Sequence, residues 1–425
     1  MGKKMTKSER AWVLYDVGNS AFVLMVSTIF PIYFNYLAEK DGLSSADYLA
    51  MWGYAASIVT AIVAVIGPVC GTIADYKGFK KPLFTVFTVV GVLGCTALGF
   101  CSSWLAFLVI FIVSKVGFSS SLVFYDSMIG DVTTNDRFDK VSSEGYAWGY
   151  IGSCIPFVMS LGIVLGKDRI GLSMQQAMIA AFALVAVWWL VMTMPLLRTY
   201  RQTHYIEKRS HAFSSGMKRL WTTLKGLKND RKVMFFLVAY FFYIDGVYTI
   251  IDMATAYGTA LGLETTGLLI ALLVTQIVAF PSAFLFGRLA DKAESWKLIL
   301  VCIAAYTCVV VFAMFMQSQW QFWVLAVCVG MFQGGIQALS RSHFAKIIPA
   351  EKSGEYFGLL DICGKGASFI GTMLISVVSQ LTGNANLAIG VMVVVFIVGL
   401  TFFIMSVNVH GDGEAIRAQQ PISGI

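Results

Sequence analysis

Seven charged residues lie inside long apolar stretches of this sequence, where they could bind a proton or another cation. They are Asp16, Lys115, Asp126, Asp245, Asp252, Asp361 and Lys365. A charge at the centre of a membrane helix costs about 2.5–3.5 kcal/mol on insertion scales, so such a charge is kept for pairing or for function. The five acids outnumber the two bases. This surplus of carboxylates favours a role with cations.

The charges belong to polar stripes with helical spacing. Residues at i, i+4, i+7 and i+11 share one face of a helix, and four segments follow this pattern. The stripes are Lys115, Ser119 and Asp126; Asp245, Thr249 and Asp252, with Tyr248 adjacent; Gln333, Gln337 and Arg341; and Asp361, Lys365, Ser368 and Thr372. Four such stripes predict a wetted pathway between helices. The candidate substrate contacts are Tyr15, Asn19, Lys115, Asp126, Tyr248, Thr249, Gln276, Gln333, Gln337, Asp361 and Lys365.

Asp245 is the leading candidate for a coupling carboxylate. It lies near the middle of its apolar segment with no basic residue one turn away, and a desolvated acid can alternate between charged and neutral forms. Lys115 could instead neutralise Asp245 across a cavity, or hold a carboxylate of the substrate. Asp252 and Asp16 are further coupling candidates. Asp16 and Asp126 lie close to helix ends, so solvation or capping explains them equally well.

Asp361 and Lys365 form a candidate ion pair within a single stripe. They are four residues apart, so both side chains lie on the same helix face. Two interpretations are open: a neutralised structural ion pair, or a site for gating or for the substrate carboxylate.

The surrounding composition is that of a polytopic membrane protein. Of 425 residues, 57% are hydrophobic and 13% are charged, against roughly 45–50% apolar in soluble domains, which argues against a soluble enzyme. A membrane helix needs about 20 apolar residues, and twelve segments meet this requirement. Their predicted limits are 12–37, 48–74, 83–101, 104–128, 145–166, 174–197, 233–257, 264–287, 298–316, 320–341, 355–380 and 386–408.

The placement of the basic residues predicts the orientation and the domain organisation. One face carries 26 Lys and Arg residues, both termini included, whereas Lys40, Lys167 and Arg169 lie on the other. By the positive-inside rule the first face is cytoplasmic. The predicted organisation is a first six-helix bundle at 1–197, a basic linker at 198–232, a second bundle at 233–408 and a cytoplasmic tail at 409–425.

The linker holds most of the net charge. It carries 10 basic and 2 acidic residues, a net charge of +8, so the rest of a chain with +7 in total has −1. Apolar residues recur within it at helical spacing, which predicts an amphipathic helix on the cytoplasmic leaflet, in contact with anionic lipid. They are Phe213, Met217, Leu220, Trp221, Leu224 and Leu227. A nucleic-acid-binding arm is the alternative, but a basic linker beside lipid needs no such partner.

The two halves of the chain carry a repeated turn. Gly71-Thr-Ile-Ala-Asp75-Tyr-Lys77-Gly78 ends the second span, and Gly287-Arg-Leu-Ala-Asp291-Lys292 ends the eighth. The segment 71–81 resembles the loop 2–3 signature of the major facilitator superfamily, and 287–292 resembles a degenerate copy. The stretches 12–22, 332–342 and 355–365 are similar to the "unknown major facilitator" family, which includes the fungal vacuolar amino-acid effluxers of autophagy.

This resemblance spans residues 10 to 405 and implies the major facilitator fold. That fold is all-α, with twelve transmembrane helices in two pseudo-symmetric six-helix bundles, whose central cavity opens alternately to either side. The resemblance also implies a cytoplasmic gate, for which turn residues without a gating role are the alternative interpretation. The gate candidates are Gly71, Asp75, Lys77, Gly287, Asp291 and Arg341.

We therefore expect a secondary active transporter rather than an enzyme. Its substrate would be a small polar solute, an amino acid or related metabolite, moved with coupled H⁺ or Na⁺. The sequence has no G-x-x-x-x-G-K-[ST] motif for direct ATP drive, and we expect no cofactor, no metal and no nucleic-acid partner. We expect a monomer in contact with lipid, in the cytoplasmic membrane, or in the vacuolar membrane of a fungus.

Two other functions are alternatives to transport of a polar solute. A flippase for a lipid or a lipid-linked glycan would use the same fold. An intramembrane aspartyl hydrolase would use Tyr15-Asp16 as one half of its site, but the second half, G-x-G-D within a helix, is absent from the sequence.

Overall fold

The computed structural model of the chain is built from α-helices. It describes residues 4–207, 212–260 and 262–409. Within these ranges some side chains are not described. They are those of residues 45–50, 212–215, 252, 255–256, 259–260, 265–266, 269, 365–369 and 385. The predictions made for the side chains of Asp252 and Lys365 therefore lie outside the described residues.

Fifteen α-helices follow one another along the described part of the chain. Their bounds are α1 (Lys7–Ser27), α2 (Ile29–Lys40), α3 (Ser45–Ala74), α4 (Lys80–Leu98), α5 (Trp104–Ser127), α6 (Ile129–Val132), α7 (Phe138–Leu165), α8 (Met174–Thr199), α9 (Ala212–Gly226), α10 (Arg231–Ala260), α11 (Thr265–Leu289), α12 (Ser295–Met314), α13 (Gln319–Ile347), α14 (Ser353–Thr382) and α15 (Ala385–Asn408). Short 3-10 turns at Asn135–Arg137 and Ala350–Lys352 precede α7 and α14.

Most of these helices are membrane spans by length and composition. Eleven helical stretches of the described residues are long and apolar enough to cross a membrane, and the first runs through both α1 and α2. α14 has 30 residues, but its described apolar part is the shorter stretch Ile370–Thr382. The chain is a multi-pass membrane protein, and the twelfth span, at α14, stays a prediction.

The first predicted span, 12–37, is two helices rather than one. Thr28 departs from helical geometry, with φ −133° and ψ −73°, and its hydroxyl donates back to the carbonyl of Leu24. Such back-bonding by Thr bends helices. Pro31 follows in the first turn of α2, where a missing backbone N–H leaves no hydrogen bond unmade. The break therefore comes from local chemistry that apolar periodicity does not report.

The two halves of the chain pack in the same pattern. In the first half α1 contacts α7 and α8, α5 contacts α3 and α4, and α8 contacts α4 and α7. In the second half α10 contacts α14 and α15, α13 contacts α11 and α12, and α15 contacts α12 and α14. Each of these six contacts of the first half thus has its counterpart in the second. This correspondence confirms the expected pair of pseudo-symmetric bundles.

The bundles meet along α3 with α14 and along α7 with α11 and α13. We call the end of the bundles that holds the start of α1, the linker and the end of α15 the termini side. Here Gly71 of α3 lies against Gly354 of α14, so closely that a Cβ on either residue would overlap the carbonyl oxygen of the other. One turn further in, a Cβ on Gly358 would lie 2.7 Å from the carbonyl oxygen of Gly67. Two G-x-x-x-G motifs therefore pair across the bundles.

We expect Gly71→Ala to open the bundles on the termini side, because the added methyl group has no space beside Gly354. The measurement is the distance between spin labels at Lys81 and Glu351, two exposed positions on opposite bundles, after replacement of the eight native cysteines. The variant should populate longer distances than the parent protein.

The matched control is Gly53→Ala in the same helix, because a Cβ on Gly53 meets nothing within 4 Å. It should leave the distance distribution unchanged. Identical distributions for Gly71→Ala and the parent would contradict the tight α3–α14 contact.

Candidate functional site

Arg341, near the end of α13 in the second bundle, reaches into the first bundle. Its Nη1 lies 3.0 Å from Asp126 Oδ1 on α5, and its Nη2 lies 3.2 Å from Asp16 Oδ2 on α1. Nε and Nη2 also donate to the hydroxyl and the carbonyl of Ser142 on α7, at 2.9 and 3.0 Å. One guanidinium therefore joins a helix of the second bundle to three helices of the first.

Aromatic rings enclose this guanidinium. Its Cζ lies 4.4 Å from the ring centre of Tyr146, 4.5 Å from that of Trp12 and 5.6 Å from that of Tyr125. The Arg341 side chain is only 5% exposed. Removal of one partner from such a buried ion pair costs roughly 3–5 kcal/mol, because the other charge stays buried without compensation. The Arg341 cluster is therefore a contact between the bundles that cannot lose one partner without leaving a buried charge uncompensated.

A second contact forms where the turn after α3 meets the start of α14. Asp75 Oδ1 accepts the backbone N–H of Gly354 at 2.7 Å, and Oδ2 accepts that of Glu355 at 3.0 Å. A carboxylate at a helix N-terminus satisfies free N–H groups and opposes the helix dipole. Burial raises the pKa of Asp75 to about 7, although nearby Lys80, these N–H groups and Arg219 favour the ionised form.

Lys80 connects the Asp75 contact to the base of the first bundle. Its ammonium group is fully buried and lies 2.9 Å from Ser353 Oγ, 3.7 Å from Asp131 Oδ2 and 3.9 Å from Asp75 Oδ1. Burial opposes ionisation of Asp131, but hydrogen bonds from His204 and Tyr200 and the charge of Lys80 hold its pKa at about 2. Lys80 thus bridges two carboxylates of the first bundle and the first residue of α14.

The second half of the chain makes its own contact with α7. Asp139, in the first turn of α7, accepts hydrogen bonds from Ser295 Oγ at 2.7 Å and Ser342 Oγ at 2.6 Å, and pairs with Lys346. These three donors lie on α12 and α13. The carboxylate at this second junction therefore belongs to the first residues of a helix, whereas at the α3–α14 junction it belongs to the turn.

The predicted gate residues fall into two groups. Gly71, Asp75 and Arg341 lie in the contacts between bundles, and a Cβ on Gly287 would stand 2.8 Å from the Cβ of Ser143 on α7. The other two, Lys77 and Asp291, are exposed. Lys77 pairs with Glu207 of the linker at 3.2 Å, and Asp291 lies in the turn between α11 and α12.

Several predicted cavity residues converge between the bundles, above the Arg341 cluster. Tyr150 on α7 donates to Gln337 Oε1 on α13 at 3.4 Å. A Cβ on Gly67 of α3 would stand 3.8 Å from Asp361 Oδ2 on α14. Tyr248 on α10 is half-buried. Gln337 and Asp361 of the second bundle therefore lie close to α7 and α3 of the first.

Four other predicted cavity residues are buried or half-buried in the two bundles. Gln333 is buried on α13, and its Oε1 has no hydrogen-bond partner among the described residues. The same holds for Oε1 of the half-buried Gln276 on α11. Lys115 lies further into the first bundle, with its ammonium group 4.9 Å from the ring centre of Phe118. Thr249 is buried beside Asp245.

Asp245 lies inside the second bundle, where α10 passes α14. The residue is 1% exposed, and its Oδ1 accepts the backbone N–H of Gly371 at 3.1 Å and the hydroxyl of Thr249 at 3.2 Å. A Cβ on Gly371 would stand 2.6 Å from this oxygen, so only glycine allows the contact. Among the described residues, no group of three or more His, Cys, Asp or Glu side chains could hold a metal ion.

Tyr15 and Asn19 fill the interior of the first bundle. The Tyr15 hydroxyl is 2.6 Å from Ser121 Oγ, and Asn19 Nδ2 donates to the Tyr15 carbonyl at 2.8 Å. Both residues are buried. Their polar groups are therefore satisfied within the first bundle.

Sequence reasoning missed the partners that lie across the junctions. Lys80 counts in the sequence only as one more basic loop residue, and Ser142 has no charge to single it out. Tyr146 carries no signal either, although it lies between the glycines of the motif Gly145-x-x-x-Gly149. That motif marks a close helix contact, and a Cβ on Gly149 would stand 2.8 Å from Ser20 Oγ on α1. In the sequence, this glycine motif indicates the close contact of α7 with α1 near Tyr146.

Comparison with known proteins identifies relatives of the whole chain. A 405-residue alignment with the "Uncharacterized MFS-type transporter YxiO" of Bacillus subtilis shows 43% identity and covers 94% of this chain and 95% of that protein. Autophagy-related protein 22 of Candida glabrata is 22% identical over 96% of this chain and 91% of its own length.

Solved structures show the same fold at low sequence identity. FucP, a major facilitator superfamily transporter in the outward conformation, superposes with a TM-score of 0.69 at 13% identity, covering 94% of this chain and 97% of FucP. A bacterial homologue of the iron transporter ferroportin in an outward-facing state gives 0.70 at 13% identity, covering 94% and 98%. The family model described as "Vacuole effluxer Atg22 like" matches residues 5–415. The chain therefore belongs to the Atg22-like family of major facilitator superfamily transporters.

Proposed function

We propose that this protein is a secondary active transporter that moves a small polar solute, an amino acid or a related metabolite, by alternating access. A proton or sodium gradient drives the movement. The observation that carries this proposal is the set of buried charges shared by the two bundles on the termini side. Such contacts can form or break as a unit when the bundles rock, because each half holds only part of every cluster.

The charge distribution supports a cytoplasmic gate. The face with both termini and the basic linker is cytoplasmic by the positive-inside rule. The Arg341 cluster and the Asp75 contact then close the cytoplasmic side, and the proposed solute site above them faces outward in this state.

The polar residues between the bundles support a polar substrate. Asp126, Gln337 and Asp361 come from both halves of the chain, so a solute bound among them would be contacted by each bundle. The family description as a vacuole effluxer supports a role in transport. Asp245, buried beside one hydroxyl and one backbone N–H, is the proposed coupling carboxylate.

The defining experiment is solute flux in proteoliposomes of the purified protein. Accumulation against a gradient of an amino acid should occur when a proton or sodium gradient is imposed, and should stop when an ionophore dissipates that gradient. Flux of phospholipid analogues without flux of polar solutes would overturn the proposal in favour of a flippase.

We expect Arg341→Gln to shift the protein from the closed to the open state of the cytoplasmic gate. Loss of a buried ion-pair partner costs roughly 3–5 kcal/mol, and each 1.4 kcal/mol is tenfold. The ratio of closed to open molecules should therefore fall at least about a hundredfold, as read from the labels at Lys81 and Glu351. Arg198→Gln, at an exposed position near the end of α8, is the control and should leave the ratio unchanged.

The coupling across the junction can be tested directly. Asp126→Asn combined with Arg341→Gln should be less harmful than the sum of the two single changes, because Arg341→Gln alone leaves two carboxylates, Asp16 and Asp126, without their cation, whereas the double variant leaves only Asp16. The deviation should exceed about 0.5 kcal/mol. Strictly additive effects would mean that Asp126 and Arg341 act independently.

We expect Asp245→Asn to abolish accumulation driven by an ion gradient while solute counterflow continues, because an amide cannot take up and release a proton. The measurement is accumulation and counterflow in the same proteoliposome preparation. Asp291→Asn, at an exposed turn, is the control. Equal loss of both activities in Asp245→Asn would assign the residue a structural role, and accumulation by the parent protein without any ion gradient would refute coupling.

A further inference from the structure

The linker helix α9 touches the junction between α3 and α14 through one arginine. Arg219 Nε lies 2.9 Å from Glu355 Oε2 of the second bundle. Its Nη2 donates to the Thr72 carbonyl of the first bundle at 2.6 Å and lies 3.4 Å from Asp75 Oδ2. Its Cζ is 5.1 Å from the ring centre of Tyr76. Arg219 therefore ties both bundles together at the point where Gly71 meets Gly354.

The junction depends on α9 for part of its polar bonding. The Asp75 and Glu355 side chains are fully buried, so their charges need a cation from outside the two helices. The hydrogen bonding between Arg219 and the junction is also incomplete, because Nη1 of Arg219 and Oε1 of Glu355 are buried without a hydrogen-bond partner among the described residues. A partly satisfied buried network is costly. Further binding energy elsewhere on α9 would offset this cost.

The described part of α9 has three faces. Gly216, Leu220 and Thr223 are buried, and Gly216 lies against α3, where a Cβ would meet Thr72 Cγ2 at 3.4 Å. The second face is exposed and apolar. It consists of Met217, Trp221 and Leu224, which are 40%, 61% and 39% exposed. The third face is exposed and basic, with Lys218 and Lys225, and the exposed Lys228 follows just after the helix ends.

An anionic bilayer surface fits these two exposed faces. An apolar stripe beside lysines is the pattern of a helix that lies in the headgroup region, with its apolar side chains at the acyl boundary. Lysines near the cytoplasmic leaflet are attracted by anionic lipids. The Lys225 ammonium lies 5.2 Å from the ring centre of Trp221, so charge and aromatic anchor act together. The helix is also joined to spans on both sides, which keeps it at the membrane surface.

We propose that α9 is a lipid-dependent latch: anionic lipid binds its exposed faces and thereby holds Arg219 in the α3–α14 junction, which stabilises the closed cytoplasmic gate. The inference rests on the proposed opening of this junction and holds whichever solute is carried. Without anionic lipid, α9 loses its outer contacts. Arg219 then leaves Asp75 and Glu355 more often, and the gate opens more often.

The test uses the full-length protein in nanodiscs, with spin labels at Lys81 and Glu351. One set contains phosphatidylcholine alone and the other contains phosphatidylcholine with phosphatidylglycerol. The closed fraction should rise severalfold with phosphatidylglycerol in the parent protein. This response should be lost in Arg219→Gln and in the triple variant Lys218→Gln, Lys225→Gln, Lys228→Gln. The matched control, Lys4→Gln, Lys7→Gln, Arg10→Gln, removes the same charge from exposed positions on the same side and should keep the response.

A second readout is independent of the gate. An environment-sensitive fluorophore on Trp221→Cys should report an apolar environment in phosphatidylglycerol nanodiscs and less so in phosphatidylcholine. An unchanged closed fraction in the two lipids, a response that persists in Arg219→Gln, or a fluorophore that stays in water would each overturn the latch; the last result would assign the surface to another occupant. A parent protein that never opens in either lipid would instead overturn alternating access.

Discussion

The structure depends on buried charges whose partners are divided between the two bundles. Arg341 belongs to the second bundle, but its carboxylates, Asp16 and Asp126, belong to the first. Asp75 belongs to the first bundle, but the N–H groups that it accepts belong to α14. Neither bundle can satisfy these groups alone without water. In this structure the junction is therefore closed, with these groups paired and buried; the proposed alternating access would require water to take the place of their partners when the junction opens.

Glycine sets the distance at which this pairing is possible. The contact of Gly71 with Gly354 brings the backbones of α3 and α14 together, and only at that separation can the carboxylate of Asp75 reach the first N–H groups of α14. Close packing and charge pairing are consequently one constraint, because a methyl group at either glycine would also pull the carboxylate away from its donors. A glycine also allows a close contact inside the second bundle, where Gly371 lets the backbone of α14 approach the Asp245 carboxylate.

The pseudo-symmetry of the fold does not extend to its charges. The helix contacts of the two halves correspond pair by pair, yet the α3–α14 junction uses an acid from the turn, Lys80 and Arg219 of the linker, whereas the counterpart junction uses Asp139 with Ser295, Ser342 and Lys346. Among the described residues, Arg219 of α9 contacts the first of these junctions, whereas Lys232 at the end of the linker lines a cavity beside Asp139 at the second. A signal that acts on α9 would therefore reach the first junction directly.

The sequence by itself determined the class of protein, the all-helical fold with two similar halves, the family, and the burial of Asp16 and Asp245. The patterns of hydropathy and charge repeat within one or two helical turns, so they can be recognised in the sequence of one segment. Tertiary structure alone decided which charges meet. Taken alone, Asp16 is a candidate coupling acid, but in the structure it lies beside Arg341, 325 residues away in the sequence. Lys77 is a predicted gate residue, but the turn directs it toward Glu207 of the linker. Lys80 contacts the junction instead. Such pairings depend on how separate helices dock, and no local spacing records that.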